Sequence, residues 1–264
     1  MKEILFTKYQ GTGNDFVILN NFNRNNNLSQ LQINKICDRR LGIGADGLIL
    51  INPSKKYDFV MKYFNADGNE STMCGNGGRC ASLFYFNEIK PANSISFNSI
   101  DGFHTSKIIS KDTVELKMLN TNRIQIYSKN KFEINTGSPH FINFVKSIHK
   151  IDFISKAKKI RYSPTYNKEG INVNFVETLN SNLIFVRTYE RGVENETLSC
   201  GTGVVASALS FSILMKKKLG QHKVTIQTKG GKLKVSFNKK SHNIFEDIYL
   251  TGECKKVFTG KMFL

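Results

Sequence analysis

Long apolar runs are missing from this sequence. The first residues, Met1–Leu5, lack the apolar region of a secretory signal peptide. The longest apolar-rich stretch, Gly203–Met215, is too short and too rich in serine to span a bilayer. We therefore expect a cytoplasmic protein that does not have a membrane as a partner.

Paired cysteines are missing as well. The chain has five cysteines, an odd number, and none of them forms a C-x-x-C pair. This pattern favours neither a disulfide framework nor a zinc ribbon, so we expect free thiols in a reducing compartment and no bound metal. Three of the five, Cys37, Cys80 and Cys254, are predicted to be buried and to pack as small apolar side chains.

Acidic residues are few. The chain has 21 acidic and 38 basic residues, which gives a formal net charge of +17. This charge would attract a polyanion such as nucleic acid. The basic residues are scattered, however, and no nucleic-acid-binding motif accompanies them. Charge alone affects solubility and non-specific attraction, so we do not expect nucleic acid as a partner.

Tryptophan is absent too, and the core is expected to consist of Phe, Ile and Leu. The sequence has 264 residues, of which 40% are hydrophobic and 20 are phenylalanine. This length suits one large domain or two medium ones.

The chain repeats one order of elements. In each half, a strand-like run is followed by a turn, a Cys-Gly-x-Gly motif, a helix-like stretch and a second strand that ends at glycine. The first copy comprises Phe59–Phe64, Cys74-Gly75-Asn76-Gly77, Arg79–Phe86 and Ser94–Gly102, and the second comprises Leu183–Tyr189, Cys200-Gly201-Thr202-Gly203, Val204–Met215 and Lys223–Gly231. The offset is 200 − 74 = 126 between the cysteines and 231 − 102 = 129 between the last glycines, so the spacing is nearly constant.

This duplication predicts an α+β fold of two pseudo-symmetric, barrel-like α/β domains, each with a central helix led by a cysteine. The first domain is predicted over residues 1–120, which residues 255–264 can join, and the second over residues 121–254. Because ligand sites commonly form where domains meet, we expect the active site in the cleft between them, faced by both helices.

A cysteine at the start of a helix lies where unpaired backbone N–H groups and the positive end of the helix dipole converge. Such a position favours a reactive thiolate, and the same N–H groups can hold a carboxylate. Two such cysteines, Cys74 and Cys200, suggest inversion of a carbon centre. One thiolate would remove a proton from one face while the other thiol delivers a proton to the opposite face. This chemistry needs no cofactor.

Several segments resemble diaminopimelate epimerases, over essentially the whole chain. The segments are Tyr9–Phe16 (YQGTGNDF), Gly42–Gly47 (GIGADG), Asn65–Cys80 (NADGNESTMCGNGGRC), Tyr189–Gly192 (YERG), Glu196–Gly203 (ETLSCGTG) and Tyr249–Glu253 (YLTGE). The resemblance implies interconversion of LL- and meso-diaminopimelate, on the route to lysine and peptidoglycan, without pyridoxal phosphate. It also implies a homodimer of two-barrel subunits.

The resemblance also implies roles for individual residues. Cys74 and Cys200 would be the acid/base pair, with thiol pKa values tuned by His140 and Glu190. The α-carboxylate of the reacting centre would be held by Gly75, Asn76, Gly201 and Thr202. The remaining ammonium and carboxylate groups would be bound by Asn14, Asn65, Asn172, Glu190 and Arg191. The chain departs from the family at Gly47, where some members have Gln, and at Ser138, where many have Asn.

Three other functions remain open at this point. A proline or hydroxyproline racemase would share the fold, but its substrate has no distal amino-acid group to explain Arg191. An enzyme with a single cysteine nucleophile would leave the duplication unexplained. A non-catalytic protein that binds anions or nucleic acid would agree with the net charge.

Overall fold

The structure is a computed structural model that describes residues 3–23 and 26–264. Met1 and Lys2 belong to the segment Met1–Leu5, in which no signal peptide was recognised, and they lie outside the described residues. Backbone contacts divide the chain into two compact units: Met1–Leu116 with Gly252–Leu264 form unit 1, and Lys117–Thr251 form unit 2. The domain limits drawn from the sequence stay a prediction.

Strands outnumber helices in both units. In chain order the elements are β1 (Glu3–Gly11), β2 (Asn14–Asn20), α1 (Gln30–Cys37), β3 (Gly47–Asn52), β4 (Phe59–Asn65), β5 (Glu70–Ser71), α2 (Gly75–Glu88), β6 (Ser94–Ser99), β7 (Gly102–Ser110), β8 (Thr113–Lys117), β9 (Ile124–Ser128), β10 (Lys131–Asn135), β11 (Pro139–Phe144), a 3-10 turn (Ile148–Lys150), α3 (Phe153–Arg161), β12 (Asn172–Asn180), β13 (Leu183–Glu190), β14 (Asn195–Thr197), α4 (Gly201–Leu214), β15 (Gly220–Thr228), β16 (Gly231–Lys239), β17 (Phe245–Glu253) and β18 (Lys255–Phe263).

Unit 1 is a mixed sheet. Strand β1 pairs with β2 antiparallel, β2 with β3 parallel, β3 with β4 antiparallel, β4 with β6 parallel and β6 with β7 antiparallel. The two parallel steps are crossovers that contain α1 and α2, as parallel neighbours require. The chain end returns to this unit, because β18 pairs antiparallel with β1.

Unit 2 repeats this pattern strand for strand. Strand β10 pairs with β11 antiparallel, β11 with β12 parallel, β12 with β13 antiparallel, β13 with β15 parallel and β15 with β16 antiparallel. The crossovers contain α3 and α4, and β9 takes the place on β10 that β18 takes on β1. The predicted duplicated α+β fold is therefore confirmed by the topology.

Each unit has a central helix. Every residue from Gly75 to Tyr85 of α2 is buried, and α4 is buried all round apart from Thr202 and its last residue. Strands from both ends of the sheet order contact the same helix: β1 and β7 contact α2, and β10 and β16 contact α4. Because each helix is buried on nearly all sides and is contacted from both ends of its sheet order, each sheet curls around its helix.

The central helices begin earlier than the apolar pattern alone predicts. Helix α2 starts at Gly75 rather than near Arg79, and α4 starts at Gly201 rather than Val204. Glycine has a low intrinsic helix propensity, so the first turn carries no local helix signal. Burial in the unit supplies the stabilisation that the glycines lack.

Candidate active site

Cys74 lies at the N-cap of α2, as predicted. Its backbone is extended (φ −81°, ψ 128°), and its carbonyl accepts the first helical hydrogen bond from the Gly78 N–H at 2.7 Å. Gly75 and Asn76 form the first turn and are buried, whereas Cys74 is partly exposed. The thiol therefore lies where the N–H groups of the first turn converge.

An amide network surrounds the Cys74 thiol. Asn14 Oδ1 lies 3.5 Å from Cys74 Sγ and 3.3 Å from Asn76 Nδ2. Beneath them, the guanidinium of the fully buried Arg79 donates to Asn76 Oδ1 at 2.9 Å, to the Gly75 carbonyl at 3.1 Å and to the Thr12 hydroxyl at 3.3 Å. Arg79 thus fixes the first turn of α2, a role that the sequence did not predict.

Asn14 is held from the opposite side by the carboxylate of Asp46. Its Nδ2 donates to Asp46 Oδ2 at 2.5 Å, and Asp46 also accepts from the Asp15 N–H at 3.1 Å. Arg39 joins Asp15 and Asp46 through ion pairs of 2.7 Å each, and Lys8 pairs with Asp15 at 2.8 Å. Burial opposes ionisation of Asp15, but hydrogen bonds from Arg39 and Lys8 lower its pKa to about 2. The sequence did not predict a role for Asp46. Its position in the segment GIGADG, which resembles the family, was the sequence signal that could have identified it.

The remaining predicted residue of unit 1, Asn65, is exposed at the end of β4, opposite Gly47 of β3. Gly47 is one of the two departures from the family pattern. A Cβ atom there would lie 2.5 Å from the Phe64 carbonyl oxygen and 2.6 Å from Tyr63 Cε2. The Tyr63 ring thus occupies the space that a larger residue at position 47 would need.

Cys200 occupies the same place in unit 2. It is the N-cap of α4 (φ −119°, ψ 116°), and its carbonyl accepts from the Val204 N–H at 2.9 Å. Gly201 and Thr202 form the first turn, and Thr202 Oγ1 lies 3.5 Å from Cys200 Sγ. Cys200 is 8% exposed.

His140 reaches Cys200 through Thr202. Its Nε2 lies 2.8 Å from Thr202 Oγ1, and its Nδ1 lies 3.0 Å from Asn174 Nδ2. The ring is fully buried; this burial, together with the charge of Arg191, lowers the His140 pKa to about 3. The ring is therefore neutral near pH 7. Asn174 was not predicted, although it lies two positions after Asn172 in the same strand.

Asn172 and Arg191 lie together at the ends of β12 and β13. Asn172 Oδ1 accepts from the Arg191 N–H at 2.8 Å, and its Nδ2 donates to Ser138 Oγ at 2.8 Å. The exposed Arg191 guanidinium donates to the Glu169 carbonyl at 2.8 Å, and the partly buried Glu190 ends β13. Ser138, the second departure from the family pattern, thus helps to orient Asn172.

The three other cysteines are buried, as predicted. Within the described residues, no group of three or more His, Cys, Asp or Glu side chains is arranged to hold a metal ion. No helix among residues 3–23 and 26–264 has the length and apolar character needed to cross a membrane.

The duplicated α+β fold defines a class of proteins whose solved members include a phenazine biosynthesis protein and a probable proline racemase. Solved structures share the fold over nearly the whole chain. One is a phenazine biosynthesis protein of the PhzF family from Bacillus anthracis (TM-score 0.78, 15% identity, 100% of both chains). Another is a probable proline racemase from Agrobacterium radiobacter (TM-score 0.71, 12% identity, 99% of this chain and 93% of that one). At these identities the likeness concerns the fold alone.

Within this class, the chain belongs to the diaminopimelate epimerase family. The model of that family matches residues 6–123 and 132–257. A diaminopimelate epimerase of Flavobacterium psychrophilum is 46% identical over 95% of this chain and 97% of its own. One of Chlorobaculum tepidum is 38% identical over 96% of this chain and 99% of its own. The predicted family is thus confirmed, and the protein is an isomerase.

Proposed function

We propose that this protein interconverts LL- and meso-diaminopimelate by inverting one α-carbon, without a bound cofactor. Family membership supports the substrate, since the relatives are named diaminopimelate epimerases. The proposed chemistry is supported by one observation, which is the same in both units. A cysteine caps a buried central helix, and a Gly-x-Gly turn follows it. The racemase alternative is not favoured, because its representatives share only the fold.

In the proposed reaction, Cys74 and Cys200 form the acid/base pair. One sulfur takes the α-proton as a thiolate, and the other gives its proton to the opposite face of the same carbon. The transition state carries negative charge on the α-carboxylate. The N–H groups of Gly75, Asn76 and Gly201, at two helix N-termini, would stabilise that charge. The direction of the reaction decides which cysteine acts as the base.

The other groups of the diacid need polar partners. Asn14, Asn65, Asn172, Glu190 and Arg191 are the proposed ones. The exposed Arg191 guanidinium suits the distal carboxylate, because a guanidinium binds carboxylates in a bidentate manner. Thr202 joins the α-carboxylate site, and His140 and Glu190 are proposed to modulate the thiols.

We also propose that the protein works as a homodimer in the cytoplasm, where thiols stay reduced. Nucleic acid is not part of the proposal, since nothing beyond net charge supports it.

Conversion of LL-diaminopimelate, followed by chiral chromatography in reductant and without added cofactor, tests the function. The wild type should produce the meso isomer, and Cys74→Ala and Cys200→Ala should each lose turnover. Cys37→Ala is the matched control, because this buried cysteine lies outside the proposed site and should keep its activity. Full activity in either of the two single variants would contradict the paired mechanism.

A further inference from the structure

We propose that Glu194 is a positioning residue, which holds the turn between β13 and β14 so that Arg191 stays in place for the distal carboxylate of the substrate. This role rests on the proposed function, in which Arg191 binds that carboxylate. Glu194 acts through Arg191 rather than on the substrate itself. The contacts that support this role all lie within unit 2.

The turn between β13 and β14 is short and closed by its own backbone. Strand β13 ends at Glu190 and β14 begins at Asn195, so residues 191–194 connect them. The Glu194 N–H donates to the Glu190 carbonyl at 2.8 Å. Gly192 and Glu194 have positive φ angles of 90° and 54°. Glycine adopts this conformation readily, whereas glutamate does not, so other contacts must hold Glu194 there.

These contacts are made by the Glu194 carboxylate, and both of its oxygens take part. Oε1 accepts from Arg161 Nη2 at 2.8 Å, from Arg161 Nε at 3.2 Å and from the Gly192 N–H at 3.2 Å. Oε2 accepts from the Tyr162 hydroxyl at 2.8 Å. Burial opposes ionisation of Glu194, but the hydrogen bonds from Tyr162, Gly192 and Arg161 lower the pKa of its carboxyl group below the usual value. The charged carboxylate therefore connects the turn to two residues outside it.

The two residues outside the turn belong to a helix that is held by the core. Arg161 is the last residue of α3, and Tyr162 is its C-cap. Helix α3 packs on β12 and buries Phe153 and Ala157 in the apolar core of the unit. The Arg161 guanidinium lies over the Tyr162 ring, 5.0 Å from the ring centre. The turn is thus connected to an element whose own position is set by packing.

Arg161 and Arg191 lie against the same glycine. A Cβ atom on Gly170 would lie 2.6 Å from Arg191 Cδ and 2.9 Å from Arg161 Cζ. Because like charges repel, two arginines in one place need a counter-charge. Glu194 supplies it to Arg161 through an ion pair of 2.8 Å. This division of roles leaves the exposed Arg191 guanidinium as the one that meets the substrate carboxylate.

Unit 1 holds its equivalent turn from the equivalent helix. The turn between β4 and β5 follows Asn65, another proposed substrate residue. Gln30 Nε2 of α1 donates to Asn69 Oδ1 in this turn at 3.0 Å. Asn34 Nδ2 of the same helix donates to the Ala66 carbonyl at 3.0 Å. Helices α1 and α3 have the same place in the duplicated order, so each unit uses its first crossover helix to hold a turn of the proposed site.

The test compares Glu194→Gly with the wild type as full-length proteins. Glycine adopts the φ angle of this position, so the variant removes the carboxylate without straining the backbone. The matched control is Asp247→Gly, because Asp247 is an exposed acidic residue with a similar φ of 49°. Two quantities are measured: amide hydrogen exchange without substrate, by mass spectrometry, and steady-state kinetics with LL-diaminopimelate.

Glu194→Gly should affect both quantities. The amides of residues 191–194 should exchange at least about tenfold faster, as expected when hydrogen bonds to a charged group are lost. KM should rise at least about tenfold while kcat stays within about twofold, since the distal carboxylate is bound equally in the ground state and the transition state. A general loss of stability would instead reduce the amount of active enzyme and so the apparent kcat. Asp247→Gly should match the wild type in both measurements.

Arg161→Met removes the same connection from its other end. It should raise KM by a similar factor, and the double variant Arg161→Met/Glu194→Gly should show no further rise, because both changes break one interaction. Two factors that multiply in the double variant would overturn the proposal.

An unchanged exchange rate in residues 191–194, an unchanged KM in Glu194→Gly, or an equal rise of KM in Asp247→Gly would also overturn it. The exchange measurement needs no turnover. If the wild type fails to convert diaminopimelate while the exchange rates change as expected, the proposed function is contradicted and the role of Glu194 in holding the turn is still supported.

Discussion

Replacing Arg79 by methionine removes the cation beneath the first turn of α2. Three buried hydrogen bonds are lost, to Asn76 Oδ1, the Gly75 carbonyl and the Thr12 hydroxyl, at 2.9, 3.1 and 3.3 Å. At about 1 kcal/mol for each hydrogen bond lost, the cost is about 3 kcal/mol. This corresponds to a melting temperature lower by about 10 °C for a unit of this size.

The kinetic effect should be larger than a general loss of stability explains. Without Arg79, the first turn of α2 loses the side chain that supports it, and the N–H groups of this turn form the proposed carboxylate site, so KM should rise at least about tenfold, the equivalent of 1.4 kcal/mol. Differential scanning calorimetry and steady-state kinetics on the same preparations measure the two effects.

The matched control is Val205→Ala, since Val205 follows Cys200 by five residues, as Arg79 follows Cys74. This variant should lose about 2 kcal/mol of stability through a cavity while keeping KM. If Arg79→Met melts at the wild-type temperature with an unchanged KM, the reasoning about this buried cation is wrong.

Two further predictions concern unit 2. Burial and the charge of Arg191 lower the His140 pKa to about 3, whereas an unfolded imidazole has about 6.5. The unfolded state binds the extra proton, so the free energy of unfolding should fall as the pH drops from about 6.5 toward about 3. Urea titrations at several pH values measure this, and an equally steep fall in His140→Gln would disprove it. Gly203→Ala places a Cβ atom 2.5 Å from Asn174 Oδ1, so it should cost about 1–3 kcal/mol and lower kcat. Wild-type stability and turnover in that variant would show that the hydrogen bonds joining Asn174, His140 and Thr202 tolerate displacement.

The fold was largely predictable because its main signal is repeated. Strands β4 and β13 alternate in the sequence as they do in the structure, and both are followed by a cysteine turn and an apolar stretch. A helix that is apolar on every side has to be enclosed, so α4 indicated a central position. The starts of α2 and α4 were harder to place, since glycine-rich turns carry no helix propensity.

The residues that position the site were not predictable to the same degree. Asp46 lies 32 residues from Asn14, and Asn174 lies 34 residues from His140, so only the tertiary structure brings them together. Arg79 lies in the same helix as Asn76, but the sequence alone predicts an exposed side chain there, because a fully buried arginine is rare.

Exchange of the substrate α-proton with solvent deuterium tests the central claim most directly. LL-diaminopimelate is incubated in heavy water with reduced protein and without cofactor, and deuterium is located by mass spectrometry and NMR. Deuterium at the inverted carbon of the meso product, lost in both Cys74→Ala and Cys200→Ala, is the expected result. Inversion without deuterium incorporation, or deuterated meso product that still forms in either variant, would contradict a reaction carried out by two opposed thiols.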